Sequence, residues 1–229
     1  MQRRARLVRY LRNLRPEVSA RLTRLKLEGE AARLRPDFLW YFLLTSFSTM
    51  GNSRGFAGLM SDPDHLQRLS YDSLLALEPA ARQAAIEAVL RRAKIRMPAQ
   101  KAQWLARNLI EIQAMGGLAE ANAAAFRQPH RAAKIEFLKQ FAGIGDEYAR
   151  NIWMDVYDPA FHDAVAIDQR IKNVSTALGV SFTRYLAHES YYQELAGEAG
   201  LQPWELDRVL YWTLPDVLGA IRGEEQHAS

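Results

Sequence analysis

The stretch Phe137-Leu-Lys-Gln-Phe-Ala-Gly-Ile-Gly-Asp-Glu-Tyr-Ala-Arg-Asn-Ile152 decides how this chain is read. An apolar helical pattern runs into Gly143-Ile144-Gly145, and a second helical pattern follows at once. Two glycines separated by one apolar residue permit a tight turn. They also leave backbone N–H groups bare at the start of the next helix, where the dipole favours an anion. A phosphate of a nucleic-acid backbone fits that description. Further on, Val165-Ala-Ile-Asp168 is a short apolar run ending in a carboxylate, and Gln169 opens another helical pattern. Asp168 therefore stands where a helix N-cap is expected.

Outward from this stretch, helical periodicity dominates and no period-two strand emerges, so the fold class is expected to be all-α. Helices are expected over 19–34, 38–46, 70–77, 79–94, 100–115, 120–126, 131–141, 146–156, 169–178, 181–197 and 203–214, with a polar tail after the last. Pro36 stops the first, Asp37 is a candidate cap for the apolar second, and Ser70 is a candidate cap for the third. Thr49-Met-Gly-Asn-Ser-Arg-Gly55 reads as a loop or helix break, and Asp158-Pro159 as a turn.

The chain has 229 residues, an apolar fraction of 48% and a net charge of +4. That length can bury a full core, as one domain or as two small lobes. The greasiest run, 39–47, is too short to span a bilayer, so no membrane span is expected. The basic N-terminus lacks the apolar core and cleavage site of a signal peptide, so secretion is not expected. There are no cysteines, which excludes disulfides and Cys-ligated metal. His65, His130, His162, His188 and His227 lack ligand spacing, so no metal is expected. Positive charge concentrates at the start. Residues 1–35 carry Arg3, Arg4, Arg6, Arg9, Arg12, Arg15, Arg21, Arg24, Lys26, Arg33 and Arg35 against Glu17, Glu28 and Glu30. Such an arm attracts polyanions by counterion release, and is otherwise a solvated helix face.

The hairpin stretch with Ile167-Asp168 resembles the helix-hairpin-helix DNA glycosylase superfamily of endonuclease III, the adenine-mismatch glycosylases and the alkyl-base glycosylases. Gly143, Ile144, Gly145 and Ala149 match the hairpin pattern, and Asp168 matches the aspartate that follows it. The likeness extends over roughly 38–222. It implies two helical lobes with a cleft between them. Residues 1–36 would be a basic helical arm belonging to the second lobe. Residues 37–140 would form the first lobe. Residues 141–229, with the hairpin, the aspartate and the last helices, would complete the second. Without cysteines this chain lacks the iron–sulfur cluster of several endonuclease III relatives, and no cofactor is expected.

The resemblance also implies chemistry. Breaking an N-glycosidic bond leaves positive charge on the sugar, which an ionised carboxylate stabilises, or places a water to attack. Asp168 is the candidate, and a capping role is compatible with it. Bifunctional relatives carry a Schiff-base lysine at the second position after Gly-x-Gly. Here that position is Glu147, which cannot form an imine. Glu147 could assist the leaving base, orient water, or simply favour the positive end of its helix. Lys134, Lys139 and Lys172 are the lysines nearby. The hairpin residues Gly143, Ile144 and Gly145, with Lys139, Arg150, Arg170 and Lys172 around them, are candidate phosphate contacts. Ser48 occupies the place of a glutamine that fills the gap left by an extracted base. Being too short for that, it leaves Asn52 or Arg54 as substitutes, with an ordinary turn as the alternative. Tyr148 and Trp40 are candidates for a pocket that holds the flipped base.

These readings point to a monofunctional DNA glycosylase of base-excision repair, with an alkylated or oxidised purine as the favoured substrate. The rivals are a bifunctional glycosylase/lyase with a relocated lysine and a non-catalytic DNA-binding protein of the same fold. The expected partner is double-stranded DNA containing a lesion. The protein is expected to be a monomer, off the membrane, and intracellular with DNA, as at a bacterial nucleoid.

Overall fold

Helical spacing of apolar residues produces an all-α chain: fifteen α-helices and one 3-10 turn, with no strand among the described residues. The computed structural model describes residues 2–50 and 54–224, and the side chain of Arg54 also lies outside the description. The chain divides into two compact units, Ala32–Ile152 and the pair Met1–Ala31 with Trp153–Ser229. Along the sequence the division lies at 31/32 and 152/153. The hairpin groups with the central unit.

The central unit is organised on α3 (Phe38–Thr49), whose residues are apolar on nearly every side. Phe38, Leu39, Leu43 and Phe47 are all fully buried. Helices α4 (Arg54–Met60) and α9 (Leu118–Phe126) lie against it, while α7 (Pro79–Arg92) packs along α8 (Pro98–Ala114). Short helices α5 (Pro63–Arg68) and α6 (Tyr71–Leu75) complete one side, and α10 (Arg131–Lys139) adjoins α9. Ser70 caps α6 as expected, accepting the Ser73 N–H. Asp37 does not cap α3: Arg35 binds both of its carboxylate oxygens, at 2.8 and 2.9 Å. Asn122 of α9 takes that place, accepting the Leu39 N–H and donating to Pro36 O.

The other unit holds α1 (Gln2–Arg12), most of α2 (Pro16–Arg33), α12 (Gln169–Leu178), α13 (Tyr185–Ala199), α14 (Pro203–Trp212) and α15 (Leu214–Arg222). Helix α1 buries Leu7, Val8 and Leu11 and packs on α13 and α15. Its arginines close the C-terminal ends of other helices. Arg3 donates to Ala177 O of α12, Arg12 to Glu198 O of α13, and Arg6 to Ile221 O and Arg222 O of α15. Guanidinium groups satisfy carbonyls that a helix end leaves unpaired, and they complement its dipole. Arg4 pairs with Glu198, and Arg15 with Asp216. Lys26 of α2 pairs with Glu205 of α14 at 2.6 Å. Much of the arm's charge is therefore bound inside its own unit. Gly29 of α2 lies so close to the backbone of Asp155 and Val156 that a Cβ there would stand 3.0 Å from both.

Candidate active site and nucleic-acid contacts

The hairpin joins α10 to α11 (Asp146–Asp155) through residues 140–145. Gly143 has φ +85°, a conformation that favours glycine. A Cβ at Gly143 would also stand 2.6 Å from the Trp104 ring and 2.8 Å from the Phe47 ring. Glycine is therefore required twice over. Gly145 differs: a Cβ there would meet nothing within 4 Å. Its backbone is open to an approaching ligand. Among the described residues, the N–H groups of Gly143 and Gly145 meet no acceptor. The first N–H groups of α11 have no acceptor within their own helix, as at any helix start. Ile144 is buried and anchors the turn from below.

Asn108 of α8 holds the elbow. Its side chain accepts the Ala142 N–H at 2.7 Å and donates to Ala142 O at 3.1 Å, while being fully buried. An amide that reads both backbone groups of one residue fixes that residue's orientation. Lys101, about two turns earlier on α8, donates to Phe47 O and Met50 O at the end of α3, both at 2.8 Å. Burial lowers its pKa to about 8. Neither Asn108 nor Lys101 stands out in the sequence, because each acts on backbone far along the chain.

The residues expected around the hairpin have distinct settings. Glu147 is exposed on the first turn of α11. Tyr148 is half-buried, and burial, with Glu147 beside it, raises its pKa. Lys139 is bound to Glu136 at 2.7 Å and Asp146 at 3.1 Å, so a phosphate must compete with two carboxylates for it. Arg150 is half-buried on α11. Trp40 is only 2% exposed and donates its indole N–H to Leu69 O. It borders a cavity of about 660 Å³ shared with Tyr41 and Tyr71. Trp40 lies two helical turns, about 10 Å, before Phe47, which touches the hairpin. Ser48 is buried inside α3 with its hydroxyl on Thr45 O, away from any duplex-filling role. Asn52 lies outside the described residues, as does the side chain of Arg54.

Asp168 is built by the other unit. Its carboxylate caps α12, with Oδ1 accepting the N–H groups of Arg170 at 2.8 Å and Ile171 at 3.1 Å. The second oxygen, Oδ2, meets the Arg170 guanidinium, with Nε at 2.6 Å. The Asp168 side chain remains 20% exposed, so the carboxylate is not sealed off. The segment before it is clamped by three side chains that sequence reading did not single out. Glu189 Oε1 accepts the Val165 N–H at 3.2 Å, and Tyr185 donates to Val165 O at 3.1 Å. Asp207 Oδ1 accepts the Ala166 N–H at 3.0 Å. Both carboxylates are almost fully buried, and burial pushes the Asp207 carboxyl above the usual range. Two buried acids thus grip consecutive backbone amides and fix where Asp168 emerges.

No helix among the described residues is long and apolar enough to cross a membrane. No family model matches the chain, and no curated protein matches it either. Among solved structures, the chain is similar to Methanocaldococcus jannaschii 8-oxoguanine glycosylase/lyase, crystallised with 15mer DNA containing 8-oxoguanine. The TM-score is 0.65 over 92% of this chain and 95% of that one, at 17% identity. The chain thus shares the all-α fold of that glycosylase/lyase over nearly its whole length.

Proposed function

We propose that this protein is a DNA glycosylase of base-excision repair that hydrolyses the N-glycosidic bond of a damaged base. The observation that carries the proposal is the setting of Asp168: a part-exposed carboxylate at a helix N-terminus, fixed by clamps on the two amides of Val165 and Ala166. Such a carboxylate stabilises cationic charge on the sugar as the base departs, and water completes the reaction. The hairpin supplies the grip on DNA. Its bare N–H groups at the start of α11, beside the open face of Gly145, suit a backbone phosphate.

The reaction is monofunctional. Glu147 stands where a Schiff-base lysine would be, and an exposed carboxylate forms no imine. Lys101 has the lowered pKa such a lysine needs, but it is fully buried against two carbonyls, where no sugar reaches it. The substrate is a damaged purine. An oxidised purine is favoured because the similar glycosylase/lyase was crystallised with DNA containing 8-oxoguanine. Tyr148, half-buried beside Glu147 at the start of α11, is the aromatic face best placed near the hairpin for a base. The protein works inside the cell on duplex DNA, as a monomer.

A panel of duplex oligonucleotides, each with one lesion, tests the reading. Wild type should release base from at least one and leave an abasic site. Asp168→Asn should lower release by several orders of magnitude while still binding the duplex. Borohydride should trap no covalent adduct. A trapped adduct would shift the reading to a glycosylase/lyase with a lysine elsewhere, and Lys172, exposed on α12, would be the first to replace. Binding without release from any lesion would leave a DNA-binding protein.

A further inference from the structure

The carboxylate that the reaction needs is already occupied. Oδ1 of Asp168 is used by the helix cap. Oδ2, the oxygen left to face a sugar, carries both the Nε and a terminal nitrogen of Arg170. The guanidinium lies over the ring of Tyr211, with Cζ 4.1 Å from the centroid, and that tyrosine is 56% exposed. A carboxylate in contact with a guanidinium attracts a second cation far less, because attraction and repulsion act over similar distances. As long as Arg170 stays, Asp168 is a poor partner for a developing sugar cation. The pair is also easy to part. Both side chains reach solvent, Asp168 at 20% and Arg170 at 31% exposure, and ion pairs of that kind are weak. A guanidinium fits a phosphate as well as it fits a carboxylate. The exposed Tyr211 ring gives it a surface on which to pivot without losing its stacking partner.

We propose that Arg170 is an exchange residue: in the free protein it holds Asp168, and in the complex a DNA backbone phosphate takes it over and uncovers the carboxylate. The carboxylate and the phosphate thus compete for one guanidinium, so that DNA binding itself readies Asp168. The inference rests on the glycosylase reading for its purpose, but its test needs no base release.

The test is a double-mutant cycle on affinity for unmodified duplex DNA, using wild type, Asp168→Asn, Arg170→Gln and the double variant. Removing the carboxylate should tighten binding about two- to five-fold, the range that a weak ion pair represents. In the Arg170→Gln background the same change should have little effect. Arg170→Gln alone should flatten the slope of log affinity against log salt by about one. Asparagine keeps the helix cap, and Asp168→Ser, another capping residue, provides a second carboxylate-free protein should the first melt early. Equal tightening in both backgrounds would mean that Asp168 only repels phosphate, and would overturn the exchange. So would an Asp168→Asn protein that binds no tighter than wild type. Absence of duplex binding by all the proteins would overturn both the exchange and the glycosylase reading. Duplex binding with the expected coupling, but no base released from any lesion, would remove the glycosylase reading alone.

Discussion

Lys101 puts an amine against two carbonyls and, among the described residues, no carboxylate. A neutral amine has two N–H donors, and Phe47 O and Met50 O accept both. Its folded pKa of about 8 lies below the ordinary 10.5 because burial disfavours the charge. Between those values the unfolded chain binds a proton that the folded chain does not. Stability should therefore rise with pH across that interval, by up to about 3 kcal/mol. Below pH 8 the buried charge is a constant cost. Urea melts across this pH range should show the rise in wild type, and Lys101→Met should lack it. Equal slopes in the two proteins would mean that the amine is not buried in solution. At this scale the sequence was legible only where a residue acts on its neighbours. Asp168 reads as a cap because its partners are two and three residues away. Asn108, Glu189 and Asp207 act on backbone 34, 24 and 41 residues distant, and no local pattern marks that.

Among the elements, helices with two clear ends were legible and those joined by subtler breaks were not. Helix α12 runs over the expected residues, from the Asp168 cap to Gly179, which is left-handed with φ +78°. Helix α15 escaped notice because Pro215 reads as a stop, yet proline at the first turn starts a helix as readily. The same applies to α5, which Pro63 opens within a stretch where no helix was expected. Helix α13 starts at Tyr185 rather than 181, with Arg184 in the extended conformation before it. Helix α14 also serves the site. Asp207 reaches from α14 to the Ala166 N–H, so helix and segment are locked together. Asp207→Ala would leave that buried N–H without an acceptor and should cost about 1–3 kcal/mol. Base release should fall with it, since the segment that presents Asp168 loses a clamp. Asp207→Asn keeps an acceptor and removes a buried charge. Because burial raises the Asp207 pKa, the folded protein holds its proton to higher pH than the unfolded chain does. Wild type therefore loses stability as pH rises through that interval, and the Asn variant should not. Thermal melts from acid to neutral pH, paired with release rates, separate the two variants. Release unchanged in Asp207→Ala would rule out the clamp.

For the whole molecule, the question is what the positive N-terminal charge does. Net charge of +4 and a run of arginines before residue 36 suggested a DNA-seeking arm. The structure gives those arginines another task. Arg3, Arg6 and Arg12 close the ends of α12, α15 and α13, and Arg4 and Arg15 pair with Glu198 and Asp216. On α1 itself Leu7, Val8 and Leu11 are core residues. Each such side chain contributes about 1.5–3 kcal/mol on burial. Three together are comparable with the whole stability of an ordinary domain, about 5–15 kcal/mol. Helix α1 is thus part of its unit's frame, and the two accounts differ in what deletion does. A tethered arm, once removed, would weaken DNA binding and leave the melting temperature alone. A framing helix, once removed, would lower the melting temperature by many degrees or prevent folding of its unit. We expect the second outcome on deleting residues 2–12. A gentler variant keeps the result interpretable: Arg4→Gln with Arg12→Gln retains the core leucines and removes two positive charges. It should lower the melting temperature by a few degrees through loss of the Glu198 contacts. Its slope of log affinity against log salt should match wild type, because those guanidinium groups face the carbonyl and the carboxylate of Glu198 in their own chain. A slope flattened by about two would show instead that both groups neutralise phosphates.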